Sequence, residues 1–509
     1  MCKLFYYCFI FLFIPFTAIA QITPKEGSAL HYRIIGFSFP TTQTTGKYTI
    51  EIANGNYADE KSFKANLFKS ITATTGKVIG EVPVFGRQYT WRVLYPRGQA
   101  TPNKSEFHHF STLQNDEIDS CNMRLRILQK AKKYAGSYVF LDAHKALYDM
   151  NGQPVWFMPE VDTSTRNSLA KRDIKISPFG TITFMCMTDI YEINYDGTVL
   201  WKGPKKGIVN GDTDEHFHHE FTRLNNGNYM VLGNEGVWYK TPLPSDSTLN
   251  LVPGNKMHPD PADTTWHKMF FGTVIEYDKS SNVIWSWRSS SYYASSDINY
   301  HKTPDNSINL NTHQNAFFFD EKNKAVYVSF KGVNRVVKVK YPEGTVSNVY
   351  GELFKPGVPE QQNGLFCAQH CCRISQKGYL YLYNNNMCHM RQPSTLIMMQ
   401  EPTTKNETLK KVWEYECTID RTPATKNLNY QFPAGGSVFE LPDQSVFACM
   451  GGMYSKIFII SPDKKILWSA LPEKWEPNVS KWVPNAQYRA SIISREELER
   501  LIWNDQPGQ

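Results

Sequence analysis

The sequence predicts an all-β protein in which a small β-sandwich precedes a β-propeller. Aromatic residues make up 14% of the 509 residues, a high share that is typical of strand-rich chains. Short alternating runs of apolar and polar residues, separated by Gly, Pro and Asn, fill residues 21–114. A strand–turn–strand unit that ends in Trp or Tyr then recurs along residues 137–480.

The sandwich prediction rests on three runs. KYTIEIANG (47–55) and QYTWRVLYPRG (88–98) alternate and end in turn signals, and FHHFST (107–112) closes the stretch. We expect Trp91 to fill the core. The pattern resembles a fibronectin type III-like or immunoglobulin-like module, which implies a role in positioning a partner domain.

The propeller prediction rests on the repeated hairpin. It is found at residues 146–159, 191–204, 274–287, 336–351 and 457–470, and residues 409–416 fit the second half of another copy. A hairpin cannot bury its faces alone, so copies stacked around an axis form blades that bury one another. We count six blades, and five or seven are also compatible with the uneven spacing.

Two segments flank the propeller. Residues 115–136 are charged and helix-prone, so we interpret them as a linker helix between the domains. Residues 481–509 are interpreted as a C-terminal tail with one short helix. In that tail Ser494 and Glu497 have the spacing of a capping box.

The first 20 residues have the pattern of a secretory signal peptide. Lys3 precedes an apolar run, and Ala18-Ile19-Ala20 is a small-x-small cleavage site, so we expect cleavage after Ala20. An uncleaved anchor helix is the rival interpretation, which Pro15 disfavours. The expected location is therefore periplasmic or secreted.

Charge and cysteine content narrow the function classes. The net charge of +7 is spread without a long basic block, so nucleic-acid binding is not predicted. An oxidising compartment would allow a local disulfide among Cys367, Cys371, Cys372 and Cys388, whose pairing the sequence leaves open. Zinc binding is the alternative interpretation of these cysteines, but the Cys-Ala-Gln-His-Cys-Cys spacing is not a standard zinc-ligand pattern.

Three histidines occupy one register of the predicted repeat. His219 and His370 each stand eight residues before a turn glycine, Gly227 and Gly378, and His313 stands at the matching start of residues 311–330. Repeat geometry should bring the three to one mouth of the central channel. They could bind a divalent metal, or an oxyanion with one neutral imidazole as nucleophile. Lys331 would bring a positive charge there, which favours an anion over a metal.

Three motifs resemble those of the bacterial arylsulfate sulfotransferase family in order and rough spacing. They are FHHEFTRLNNGNYMVL (217–232), THQNAFFFDEKNKAVYVSFK (312–331) and FCAQHCCRISQKGYLYLYNN (366–385). The resemblance is strongest over residues 185–390. It implies a propeller enzyme that transfers a sulfuryl group between phenols by a ping-pong mechanism, without a nucleotide sulfate donor, a metal or another cofactor.

The resemblance also implies roles for individual residues. His370 would become a transient sulfohistidine, while His219 and His313 would hold the sulfuryl oxygens and shuttle the phenolic proton. Lys331 stands where the family has an arginine, and Arg335 or Arg391 would have to compensate for the missing bidentate donors of a guanidinium group. The residues assigned to substrate binding are Asn315, His218, Asn384 and Arg391.

The predicted partners are phenolic sulfate donors and phenol acceptors, with no nucleic acid, no membrane insertion after cleavage and a possible homodimer. A neutral histidine nucleophile suits this chemistry because the unperturbed pKa of His is about 6.5. Two other hypotheses remain open. One is a non-enzymatic propeller that binds sulfated or anionic aromatic ligands, and the other is a metal-dependent propeller enzyme that uses the same histidines.

Overall fold

The computed structural model divides the chain into two compact units, residues 1–114 and 115–509, and each is described by itself. The predicted signal peptide lies outside the described residues. The structure describes residues 22–41, 46–96, 104–115, 122–166, 169–204, 216–240, 252–253, 260–293, 311–351, 364–387, 393–404, 407–417, 434–452 and 455–504.

The first unit is a β-sandwich. A five-stranded sheet of order β1-β7-β6-β3-β4 faces a two-stranded sheet of β2 and β5. Trp91 fills the core as predicted, and its ring meets Phe37 of the other sheet edge-on at 5.1 Å between centroids. The elements are β1 (Ser28–Leu30), β2 (Ile34–Ser38), β3 (Tyr48–Asn54), α1 (Glu60–Ala65), β4 (Leu67–Ala73), β5 (Lys77–Glu81), β6 (Gln88–Leu94) and β7 (His108–Thr112).

The described part of the second unit contains six antiparallel sheets in chain order, which are the six predicted propeller blades. After β8 (Met123–Gln129), blade 1 contains β9 (Tyr138–Leu141), β10 (Ala146–Asp149) and β11 (Pro154–Phe157). Blade 2 contains β12 (Lys171–Ile176), β13 (Ile182–Cys186), β14 (Asp189–Ile193) and β15 (Val199–Lys202). Blade 3 contains β16 (Phe221–Arg223), β17 (Tyr229–Lys240), β18 (Val252–Pro253), β19 (Trp266–Tyr277) and β20 (Val283–Arg288).

The remaining blades follow the same meander. Blade 4 contains β21 (Gln314–Asp320), β22 (Ala325–Phe330), β23 (Arg335–Lys340) and β24 (Val346–Gly351). Blade 5 contains β25 (His370–Ile374), β26 (Leu380–Asn384), β27 (Thr395–Gln400) and β28 (Lys410–Glu416). Blade 6 contains β29 (Ser437–Glu440), β30 (Val446–Cys449), β31 (Ile457–Ile460), β32 (Ile466–Glu476) and β33 (Lys481–Pro484), and β34 (Ala490–Ile493) and α2 (Arg495–Trp503) follow.

The C-terminal segment closes the ring, which corrects its interpretation as a tail. Strand β34 pairs with β9 in antiparallel register, from Ala490 opposite Leu141 to Ile493 opposite Tyr138, and becomes the inner strand of blade 1. Helix α2 begins at the predicted capping box, because the Ser494 side chain accepts from the Glu497 amide and Glu497 accepts from the Ser494 amide.

The predicted linker helix is wrong. Residues Met123–Gln129 form β8, which pairs with β32 of blade 6, and only a 3-10 turn at Lys132–Tyr134 is helical in this segment. The sequence MRLRILQ alternates apolar and basic residues, a strand pattern that its high charge concealed. The basic side chains pair with Glu473, since Arg124 Nε and Arg126 Nε lie 2.7 Å and 2.9 Å from its carboxylate.

Apolar side chains hold neighbouring blades together. Leu232 and Phe271 of blade 3 pack against Val328 and Val337 of blade 4 in one buried cluster, and similar clusters join blades 4 and 5 and blades 5 and 6. No helix within the described residues is both long and apolar enough to cross a bilayer.

A kink of the backbone recurs where the inner strands begin. Near the start of five of these strands one residue has a positive φ, and these residues are Asp173 (57°), His219 (63°), His313 (50°), Cys371 (53°) and Gly436 (111°). Four of the five are not glycine, and a left-handed conformation is costly for such residues. The kink allows an inner strand to turn one side chain toward the axis. After the kink, the strand pairs again with its neighbour through backbone hydrogen bonds.

A buried ion network joins the inner strands at the axis. Arg489, which is 3% exposed, donates from Nη1 to Asp173 Oδ1 at 2.9 Å and from Nη2 to the Asn315 carbonyl at 2.8 Å. Its Nη2 also lies 3.5 Å from Glu220 Oε2. Arg373 of blade 5 binds the other Glu220 oxygen. The network therefore joins groups from blades 1 to 5.

Replacing Arg489 by Met should lower the free energy of unfolding by about 3–5 kcal/mol, because Asp173 and Glu220 would lose a buried counter-charge. Urea titration of tryptophan fluorescence measures the change. Lys465→Met is the control, since Lys465 pairs with Asp463 on the surface with 77% and 59% of the side chains exposed. An Arg489→Met midpoint as high as that of the control would contradict the role given to this network.

Candidate functional site

The three histidines that share a register come together. The ring centroids of His219 and His313 are 5.3 Å apart, and Tyr488 lies 5.9 Å from His219 and 6.2 Å from His370. Blades 3, 4 and 5 each supply one histidine, and the segment before β34 supplies the tyrosine. The geometry therefore forms one candidate site at the beginning of the inner strands.

Hydrogen bonds fix the protonation pattern of His370. Its Nδ1 lies 2.7 Å from Asn385 Oδ1 and 3.2 Å from the Ala368 carbonyl, and both atoms can only accept, so Nδ1 carries the proton. Asn385 Nδ2 donates to the Gly435 carbonyl at 3.1 Å, which holds the amide in this orientation. His370 Nε2 is thus unprotonated, and its lone pair accepts from the Gly435 amide at 3.2 Å.

The site keeps its histidines neutral. Burial lowers the pKa of His370 to about 3, against the opposing effect of the Asn385 hydrogen bond, and the charge of Lys331 lowers it further. Burial and Lys331 also lower the pKa of His313 to about 4, and burial lowers the pKa of His219 well below its ordinary value. An uncharged imidazole is the form that can act as a nucleophile or a base.

Positive charge at the site comes from two other side chains. The half-buried Lys331 has no ion-pair partner within the described residues, and burial lowers the pKa of its ammonium group. Arg489 is close enough for its charge to depress the pKa of both His219 and His370. Neutral histidines beside fixed cations are suited to an anionic ligand.

A cavity of about 230 Å³ opens beside the histidines. His219 and His313 line it together with Asn234, Phe270 and Phe271. A second cavity of about 380 Å³ lies on the Tyr488 side and is bordered by Arg172 and Ala434. Arg172 stacks on the Tyr488 ring, with the guanidinium carbon 4.9 Å from the ring centroid. Both cavities combine aromatic walls with polar groups.

One substrate assignment from the sequence needs correction. Asn384 accepts from the Cys367 and Asn386 amides at 2.9 Å and 3.0 Å and donates to Thr395 Oγ1, so it stabilises the chain after β26. Its neighbour Asn385 is the residue that touches His370. Three successive asparagines begin at the last residue of β26, and their order along the chain does not tell which one faces the site.

His218 lines the cavity together with His219, and both of its ring nitrogens are engaged by protein atoms. Nε2 lies 3.0 Å from the Gly233 carbonyl and Nδ1 lies 2.8 Å from His219 Nδ1. Asn315 is fully buried, and its Nδ2 donates to the Gln369 carbonyl at 2.6 Å, so it holds the backbone next to His370. Arg391 lies outside the described residues.

The sequence analysis missed Tyr488, Arg489, Asn385 and Gly435. Tyr488 and Arg489 precede a strand that closes the ring without a hairpin turn of its own, so no turn glycine aligns them with the other inner strands. Gly435 and Asn385 act through their contacts with His370, which only the assembled blades bring about. The signal that could have found Arg489 is an arginine directly before the apolar run ASII at the C-terminus.

The described cysteines near His370 do not form the expected cluster. Cys371 and Cys372 are buried and are not bridged, and Cys371 Sγ accepts from the Val438 amide at 3.4 Å. Cys388, the fourth member of the predicted group, lies outside the described residues. Within the part of the chain that the structure describes, no group of three or more His, Cys, Asp or Glu side chains could hold a metal ion.

Comparison with known proteins gives weak structural likenesses and one family. No curated protein matches the chain. A protein of unknown function from Bacteroides caccae has a TM-score of 0.39 at 11% identity and covers 73% of this chain and 99% of that chain. A luciferin-regenerating enzyme has a TM-score of 0.34 at 10% identity over 73% and 96%. Apo AztD from Citrobacter koseri has a TM-score of 0.31 at 8% identity over 88% and 98%.

The assignment to a family rests on the amino-acid sequence. The model of the arylsulfotransferase (ASST) family matches residues 129–431, a span that contains all three histidines of the site. This span is more than half of the chain, and the match confirms the resemblance predicted from the three motifs. The chain belongs to the arylsulfotransferase family.

Proposed function

We propose that this protein transfers a sulfuryl group from a phenolic sulfate ester to a phenol through a sulfohistidine at His370, with no metal or nucleotide. Membership of the family supports sulfuryl transfer in general. The observation that carries the finer proposal is the unprotonated Nε2 of a buried, neutral His370, whose Nδ1–H is held by Asn385 and whose Nε2 accepts from the Gly435 amide. As a further part of the proposal, the protein acts in the periplasm or outside the cell.

In the first displacement, His370 Nε2 would attack the sulfur of the ester. The N–S bond forms while the ester S–O bond breaks, and the electron pair leaves with the phenolic oxygen. A basic leaving group needs a proton, which His219 would supply as an imidazolium after taking up a proton from solvent when the anionic ester binds. An acidic phenol such as nitrophenol leaves as its anion and needs no proton.

In the second displacement, an acceptor phenol would reverse these events. Its oxygen attacks the sulfur, the N–S bond breaks, and the phenolic proton passes to His219, so the proton count balances over one cycle. Two displacements at one histidine give ping-pong kinetics. The two phenols can use the same cavity in turn, with Phe270 and Phe271 beside the ring.

Charge develops on the sulfuryl oxygens during both steps, as in phosphoryl transfer. The Lys331 ammonium and the Gly435 amide are the candidate donors to these oxygens. The Gly435 amide lies 3.2 Å from Nε2, so it borders the position that a sulfuryl group on Nε2 would occupy. A donor fixed in the backbone stabilises developing charge without reorganising.

The first experiment is a donor–acceptor assay on the full chain. With p-nitrophenyl sulfate, nitrophenolate release should depend on added phenol and proceed without nucleotide or metal. His370→Ala should slow release by at least about 1000-fold, because a missing nucleophile cannot be replaced by its neighbours. His109→Gln, in the other unit, is the matched histidine control.

The other outcomes of this assay have distinct meanings. Release that does not depend on phenol would point to a sulfatase. Absence of release together with a chelatable bound metal would favour the metal-dependent hypothesis. Absence of both would favour a propeller that only binds anionic aromatic ligands.

Asn385 provides a second test. Sulfurylation places positive charge on the His370 ring, so the Nδ1–H bond to Asn385 should be stronger in the transition state than in the ground state. Asn385→Leu should therefore lower kcat by about 10- to 100-fold with little change in KM. Asn385→Asp keeps an acceptor and should retain more activity than the leucine variant. Equal losses in the two variants would show that Asn385 acts only in packing.

The pH dependence of kcat/KM provides a third test, with p-nitrophenyl sulfate, whose leaving group needs no proton, and with nitrophenol measured after an alkaline quench. Since the pKa values of His370 and His313 lie at about 3 and 4, the unprotonated forms persist from neutrality to about pH 5. Activity should then be lost only as the pH falls through these values. A fall centred near the ordinary histidine value of about 6.5 would contradict a neutral, buried resting state.

A further inference from the structure

His218 and His219 are adjacent in the chain, yet their rings meet. The Nδ1 atoms lie 2.8 Å apart, and the rings are nearly perpendicular with centroids 4.8 Å apart. In an extended strand, neighbouring side chains point to opposite faces. The left-handed backbone of His219, at φ 63°, turns its ring back toward His218.

The hydrogen bonds determine where each proton resides. The Gly233 carbonyl can only accept, so His218 Nε2, which lies 3.0 Å from it, must be the protonated nitrogen. A neutral His218 then has a bare Nδ1. The short contact between the two Nδ1 atoms needs one proton, which must belong to His219. His219 is therefore protonated on Nδ1, and its Nε2 has a free lone pair.

The surroundings hold His218 in this orientation. Its backbone amide donates to the Leu232 carbonyl at 3.0 Å, and its carbonyl accepts from the Glu220 amide at 2.7 Å. Gly233 lies on β17 opposite Thr273, and a β-carbon at position 233 would approach Thr273 Oγ1 to 2.7 Å. The Gly233 carbonyl, which accepts from His218 Nε2–H, thus lies at a position that has no room for a larger residue.

This arrangement gives His219 the properties of a positioned base. When Nε2 takes a proton, the ring becomes cationic, and the Nδ1–H bond to His218 strengthens because it becomes charge-assisted. His218 cannot release its own proton to the carbonyl, so it orients and stabilises without carrying charge. An aspartate does the same for the histidine of a serine protease, although it is charged.

We propose that His218 is a positioning residue that fixes the Nδ1–H tautomer of His219 and so makes His219 Nε2 the atom that exchanges protons with the phenolic oxygens. The inference rests on the proposed function and deepens it. It assigns the proton transfer to one atom at the mouth of the cavity. It also explains why two successive histidines precede the inner strand of blade 3.

Two variants separate this role from packing. His218→Phe keeps a ring and removes both nitrogens, whereas His218→Asn places an amide oxygen near the position of Nδ1, where it can accept from His219. Each is compared with the wild type for its thermal midpoint, for steady-state turnover of phenyl sulfate, and for the burst of nitrophenolate from p-nitrophenyl sulfate. The burst reports the first displacement with a leaving group that needs no proton.

We expect His218→Phe to lower kcat for phenyl sulfate by about 100-fold, the scale of general acid–base catalysis, with KM and the nitrophenolate burst nearly unchanged. His218→Asn should recover a large part of the loss. An equal fall in the burst and in phenyl sulfate turnover would overturn the proposal, because it would mean that His218 only supports the fold of the site. Failure of the asparagine variant to exceed the phenylalanine variant, at equal thermal stability, would also overturn it.

A spectroscopic measurement tests the tautomer independently of turnover. Long-range 1H–15N correlation on histidine-labelled protein should show His219 protonated on Nδ1, with the signals assigned through His219→Gln. A wild-type His219 protonated on Nε2 would overturn the proposal. If the expected tautomer is found but no phenolic sulfate supports transfer, the proposed function fails while the assignment of the protons stands.

Discussion

The buried guanidinium of Arg489 is the interaction on which the rest of the site depends. It directly precedes β34, the inner strand of blade 1, and binds Asp173, the Asn315 carbonyl and Glu220 on blades 2, 4 and 3. Apolar contacts join each blade to its neighbours, but this network joins blades across the axis. The histidines lie directly before or within strands that the network ties together, so their mutual distances depend on it.

The same cation shapes the electrostatics of the site. Burial keeps the surrounding imidazoles unprotonated, and the charges of Lys331 and, at His370, of Arg489 lower their pKa values further, so the site combines positive charge with neutral imidazoles. Protonated histidines would bind an anion more strongly but could not attack it. In the proposed reaction, fixed cations resolve this conflict, because they would attract a sulfate ester without occupying the lone pair that reacts with it.

The sequence predicted the repeat well because hairpins that end in Trp or Tyr are a local pattern, and the shared register of His219, His313 and His370 followed from that pattern. The prediction from sequence failed where the contact that determines the structure joins residues that are far apart in the chain. Residues 123–129 contain a strand whose basic side chains find Glu473 near the other end of the chain, and β34 completes a blade begun by β9. Asn384 and Asn385 differ only in which side of the chain they face, and this is set by the assembled blade.

Ring closure by β34 also has a meaning for biosynthesis. All three histidines are made more than a hundred residues before the ribosome reaches Tyr488 and Arg489. Until then blade 1 has no inner strand and the axis lacks its central cation. A nascent or prematurely terminated chain would therefore contain every reactive histidine and still be chemically silent. We therefore expect a chain that lacks residues 488–493 to be inactive, because these residues complete the proposed site after the histidines have been made.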